Sequence, residues 1–180
     1  MRKFRLSLSL IILVLVTGLV ASGCGSSKYA AKVNDSYITK EKYQKTVNEV
    51  IKYYETNARK LKNTEQEALK KETLDRLIDE ELVSQAAALK GISVADKQVN
   101  DYINNIKKQI VDPKKYQELL KERAYSENDY RARLKVKFLT QALSNSVTKN
   151  ITDPLAKKQA FDKYMADLRN NASIKIYEKF

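Results

Sequence analysis

Histidine and tryptophan are absent from this 180-residue chain, and cysteine occurs once, at Cys24. Without histidine there is no imidazole general base, and a Cys/His zinc site lacks its ligands. One cysteine excludes an intramolecular disulfide. Residues that interrupt regular structure are scarce too: there are two prolines and four glycines, and beyond position 25 the only glycine is Gly91. With hydrophobic residues at 43% and charged ones at 31%, such a chain is expected to be mostly helix around a buried core. Its length fits one domain.

Acidic residues are also in deficit. The net charge is +12, of which Arg2, Lys3 and Arg5 account for three. A basic surface suits lipid headgroups, an acidic wall polymer or nucleic acid. Lysine spread along every segment equally fits a merely soluble surface. Nucleic acid is set aside, because no groove-reading motif accompanies the high pI and the chain begins with an export signal.

That signal occupies residues 1–23. Arg2, Lys3 and Arg5 are its basic start, residues 6–20 an uncharged apolar run, and Ala21-Ser22-Gly23 its small-residue exit. The apolar run is short for a spanning helix, which needs about 20 residues. Ala21-Ser22-Gly23-Cys24 resembles the bacterial lipobox, whose cysteine becomes the first mature residue and is diacylated. Leu is commoner than Ala at the first of those positions. The alternatives are an uncleaved anchor and an ordinary signal with a stray cysteine. Two acyl chains suffice for stable anchoring, and residues 24–30 then form a tether ahead of a domain at 31–180.

Within that domain, residues 64–93 form the organising stretch. Thr64 and Glu67 have capping-box spacing, and Gly91 with Ile92 has the pattern of a helix stop. Between them Leu74, Leu77, Ile78, Leu82, Ala86 and Leu89 form one apolar stripe at helical period. The three carboxylates Asp79, Glu80 and Glu81 are consecutive, so they diverge around the helix and cannot converge on a metal or a substrate.

The flanking segments follow the same logic. Val33 and Ile38 bracket Asn34-Asp35, a tight hairpin turn. Thr39 caps a helix to about Leu61, with Tyr43, Val47, Val50, Ile51, Tyr54, Ala58 and Leu61 on its stripe. Asn63 and Thr64 are its only link to the next helix. Ser93 with Asp96 opens a third helix, Asp112-Pro113 a fourth and Ser126 with Asp129 a fifth. Asp153-Pro154 opens a last one, with Leu155 on its stripe, running to about Arg169 and broken by Asn170-Asn171. Ile174 and Ile176 alternate with polar neighbours as a strand does. The expected fold is mainly α, about six helices, with a small β-sheet pairing the N- and C-terminal segments.

Three landmarks in order carry a resemblance: Val33-Asn34 to Ile38-Thr39, the block from Leu74 to Ser93, and the closing run from Ile174 to Tyr177. Together they resemble the N-terminal chaperone domain of SurA-type periplasmic chaperones and the foldase domain of PrsA-type lipoproteins, over residues 31–177. Those families commonly insert a parvulin prolyl isomerase before the last helix. Residues 148–153 leave no room for one, and the paired histidines of a parvulin pocket are missing. The resemblance therefore implies ATP-independent binding of unfolded or nascent exported polypeptides, with no isomerase activity, no enzyme and no cofactor.

The mechanism expected is capture of apolar client segments in a cleft between helices. Tyrosine combines apolar area with a polar tip, which suits varied peptides. The candidate contact residues are Tyr53, Tyr54, Tyr102, Ile106, Tyr116 and Tyr130, although most tyrosines on apolar stripes simply pack helix interfaces. The competing expectation is a scaffold lipoprotein that holds one dedicated partner.

Overall fold

The computed structural model describes residues 28–57, 59–110 and 112–180. The expected export signal and Cys24 lie outside the described residues, as does Ala58. Two strands, β1 (Tyr29–Val33) and β2 (Ser36–Thr39), precede six helices: α1 (Lys40–Thr56), α2 (Asn63–Leu89), α3 (Asp96–Gln109), α4 (Pro113–Glu122), α5 (Glu127–Val147) and α6 (Pro154–Asn171). Strand β3 (Ile174–Ile176) closes the chain. The sheet has the order β2-β1-β3 and both pairings are antiparallel, so the two ends of the domain meet on β1.

Most boundaries follow from local chemistry. Asn34 takes a φ of 54° in the hairpin turn, a conformation that asparagine tolerates. Thr39 accepts a hydrogen bond from the Lys42 N–H, Asp112 from Lys114 and Asp153 from Ala156. Ser126 and Asp129 form a reciprocal capping box. At the end of α2 the Ile92 N–H donates to Ala87 and the Gly91 N–H to Ala88, with Gly91 at φ 66°. That is the paired bonding of a left-handed helix stop.

Five expectations are corrected. Helix α1 ends at Thr56, so Leu61 is buried in the connecting loop rather than on the helix. Helix α2 starts at Asn63, and its cap is the Glu65 carboxylate accepting the Lys62 N–H at 2.8 Å, not Thr64 with Glu67. Lysine has no acceptor, so the reciprocal half of a capping box is missing. Helix α3 begins at Asp96 behind Ala95, without the Ser93 cap, and Val94 is drawn into the core instead. Leu89 and Leu155, expected on buried stripes, are 89% and 63% exposed, each in a terminal turn of its helix. Asn170 and Asn171 continue α6 rather than breaking it.

Three apolar clusters form the core. The first joins Ala31, Val33 and Ile38 of the sheet to Leu74, Leu77 and Ile78 of α2, with Tyr43 and Val47 of α1. The second gathers Val99 and Ile103 of α3, Tyr116 and Leu120 of α4 and Leu134 of α5. The third sits between Val83 and Ala86 of α2, Leu143 of α5 and the half-buried face of α6. Helices α2 and α5 each serve two clusters and act as the spine. A polar network locks the hairpin turn onto that spine. Asn34 donates to Gln85 at 2.7 Å and accepts from the Ser173 N–H at 2.9 Å, while Gln85 donates to the Val33 carbonyl at 3.1 Å.

Candidate functional site

Helices α1 and α5 both pack on α2. Between them runs a cleft of about 230 Å³, lined by Lys45, Glu49, Arg76, Leu77, Asp129 and Arg133 among others. It opens at one end onto a wider depression of about 580 Å³ that shares Lys45, Glu49 and Asp129. At the other end a pocket of about 170 Å³ shares Arg76 and Arg133 and adds Val50, Tyr54, Leu69 and Tyr125. The three make one groove with a charged middle and an aromatic end.

Ion pairs cross the charged middle. Lys45 on α1 bonds to Asp129 on α5, and Arg133 on α5 bonds to Glu49 on α1 at 2.7 Å. Each helix contributes two charges one turn apart, in opposite order. Arg76 and Glu80 form a third pair on the α2 wall at 3.4 Å. Burial opposes ionisation of Asp129, but the Lys45 ammonium and the Ser126 cap hold its carboxyl below the usual carboxylate range. The hydrogen bond to Asp129 in turn raises Lys45. At the aromatic end the Arg133 guanidinium lies 4.4 Å from the Tyr125 ring centre, and Arg59 lies 5.4 Å from that of Tyr54.

Of the six candidate contact residues, Tyr54 lines this groove. Tyr53 packs edge-on against Tyr54 at 5.8 Å and is 44% exposed. Of the other four, Ile106, Tyr116 and Tyr130 belong to the second cluster, and Tyr102 lies outside it. Tyr102 stands at its rim, edge-on to Phe138 at 5.3 Å, and Ile106 and Tyr130 are half-buried. Tyr116 is core, 2% exposed, and its hydroxyl has no hydrogen-bond partner among the described residues. Burial and the Glu127 carboxylate raise its pKa. The structure therefore separates the candidates into a groove pair and a lobe group.

The cleft between helices is present, but its lining differs from the apolar trough expected. The charges at Lys45, Glu49, Asp129 and Arg133 and the ring of Tyr125 escaped sequence reasoning. Their i,i+4 spacing on two helices was the available signal, yet only packing shows that those two helices face each other. Asp79, Glu80 and Glu81 diverge as expected: Asp79 accepts from Arg169, Glu80 from Arg76 and Glu81 from Gln85.

A six-helix domain with its ends joined in a small sheet and a groove between its first, second and fifth helices defines a mainly α class of domain. A family model described as the SurA-like N-terminal domain matches residues 2–144. The chain belongs to that family, which is of chaperone type. The match ends inside α5, so α6 and β3 lie beyond the matched residues. No curated protein matches the chain.

Proposed function

We propose that this protein is an ATP-independent chaperone that holds unfolded or nascent exported polypeptides in the α1–α2–α5 groove. A lipid on Cys24 keeps it at the outer face of a bacterial cytoplasmic membrane. The observation that carries this reading is family membership combined with a groove whose end offers aromatic rings. The rings of Tyr54 and Tyr125 shield apolar client side chains from water. Partly exposed ion pairs contribute little net energy, so Lys45, Glu49, Asp129 and Arg133 can exchange partners with client charges. Contacts of this strength permit release without nucleotide.

No catalysis is assigned. Six residues separate α5 from α6, where a parvulin insertion would stand, and the chain has no histidine. Isomerisation of a proline-containing test peptide should stay at its background rate.

The test is suppression of aggregation of a chemically denatured client by the purified protein. Replacing Tyr54 and Tyr125 together by Ser should weaken suppression and leave far-UV helicity intact. Undiminished suppression would remove the groove from the mechanism, and none by the unaltered protein would remove the chaperone reading. The fixed pattern of crossed ion pairs favours one alternative, a scaffold holding a single partner of matching charge. Crosslinking in membranes separates the two: many unrelated exported clients support the chaperone, and one stoichiometric partner supports the scaffold.

A further inference from the structure

Among the described residues, the three-stranded sheet is covered on one face only. Ala31, Val33 and Ile38 point into the first cluster against α1 and α2. The opposite face carries Lys32, directly across from Tyr37 on β2 and from Lys175 on β3. Tyr29 and Tyr37 lie ring to ring at 4.2 Å, the Lys32 ammonium sits 5.3 Å from the Tyr37 ring centre, and Lys175 sits 5.3 Å from that of Tyr177. Among the described residues, Tyr37 on this face and Phe180 in the tail after β3 are exposed large hydrophobic residues, whereas exposed Ile176 pairs with Ala31 and belongs to the covered side. Within three residues of the sheet's strands the sequence carries six lysines, at positions 28, 32, 40, 42, 175 and 179, against three carboxylates, Asp35, Glu41 and Glu178. Glu178 is already engaged by Lys40 at 3.5 Å.

We infer that this outer sheet face is a membrane-contact surface that rests on anionic lipid headgroups. The inference rests on the proposed lipid at Cys24. From Cys24 to Lys28 is four residues, a reach of about 14 Å when extended. The sheet is therefore held close to a bilayer, where charge attraction acts within about 8 Å at physiological salt. Tyrosine and lysine side by side are the residues that settle at a headgroup interface, the ring at the boundary and the ammonium on phosphate. With the sheet against the bilayer, β1 is fixed by the surface, and the groove among α1, α2 and α5 lies on the helical side of the sheet.

The test uses the full protein in vesicles of phosphatidylcholine alone or with phosphatidylglycerol, and reads lysine acetylation residue by residue by mass. Labelling of Lys32 and Lys175 should slow about fivefold on the anionic vesicles, the factor that one lysine near such a surface is worth. Molar salt should restore it, and Lys121 on α4 should not change. In K32E/K175E, with helicity checked by circular dichroism, the slowing at Lys179 should disappear. Equal labelling on both vesicles overturns the surface. Slowing that appears in detergent and grows with protein concentration also overturns it, by assigning the face to a second copy. The mass of the Cys24 peptide reports on the anchor separately. If it carries no lipid, salt-sensitive slowing on anionic vesicles still upholds the surface and its absence sinks it.

Discussion

Around Ile78 the core is sealed, and around Ile103 it is not. The first lobe packs small sheet residues, Ala30, Ala31 and Val33, directly on α2, with few half-buried apolar residues at its rim. The second lobe, built from α3, α4 and the first half of α5, has more half-buried apolar residues than buried ones, among them Ile106, Tyr125, Tyr130 and Phe138. The first lobe is also tied by the Asn34–Gln85–Ser173 network. The second reaches α1 across the groove through the Lys45–Asp129 and Arg133–Glu49 pairs. A lobe rich in half-buried surface and latched by partly exposed charges belongs to the low-stability end of a structure. The groove therefore has one firm wall and one that can give, which suits a site for clients of differing shape.

The comparison breaks most readily at the two isoleucines, both fully buried. Ile78→Ala and Ile103→Ala should each cost about 3 kcal/mol. The first should lower the denaturant midpoint and speed exchange of amides throughout. The second should speed exchange in α3 and α4 while α2 stays protected. Equal acceleration everywhere would mean that the lobes unfold as one unit.

A smaller effect sits at the end of α4. There Ala124 adopts a φ of 54° with the paired bonds of a helix stop, Tyr125 N–H to Leu120 and Ala124 N–H to Lys121. A side chain in that conformation costs about 1 kcal/mol, which glycine avoids. Ala124→Gly should raise stability by up to about that amount, with the gain appearing in amides of the second lobe. A loss would show that the Ala124 methyl packs usefully against the groove mouth.

The smallest effect is acid sensitivity. Lys107 holds Glu127 below the usual carboxylate range, and Lys45 and the Ser126 cap do so for Asp129 against burial. Lys135 does the same for exposed Asp96. A carboxyl whose folded pKa is depressed contributes stability above its ordinary value, about 4, and loses it as pH falls through the lower folded value. All three carboxyls belong to α3 and α5. Among the described residues, Glu65 at the start of α2 is the other depressed carboxyl, held chiefly by the Lys62 N–H. Below about pH 4 the second lobe should therefore loosen first, seen as faster amide exchange in α3 and α5 than in α2. Between pH 5 and 8 the protection of the same amides, relative to their intrinsic exchange rates, should be unchanged.

Legibility in the sequence followed the range of the interaction. The caps at Thr39, Asp112, Ser126 and Asp153 and the stop at Gly91 were all readable, because donor and acceptor lie within a few residues. So was the closing strand, whose alternation is local. The start of α2 was missed because Glu65, a residue equally common inside helices, serves as its cap through the Lys62 N–H. The exposure of Leu89 and Leu155 was missed because periodicity shows which residues share a face and not how far the neighbouring helix extends to cover them. For the same reason Tyr116 and Tyr102 looked alike in sequence, although one is core and the other stands at a rim.

The amino-acid order determined that this chain is helical, where most helices begin, and that a strand-forming segment lies near each end of the domain, since capping bonds and apolar period are set over a few residues. Only the tertiary structure decided that the groove carries charge as well as rings, that one of its walls is firm and the other loose, and that, among the described residues, one face of the sheet stays open. Those features depend on which helices face each other across tens of residues, and no local pattern encodes that.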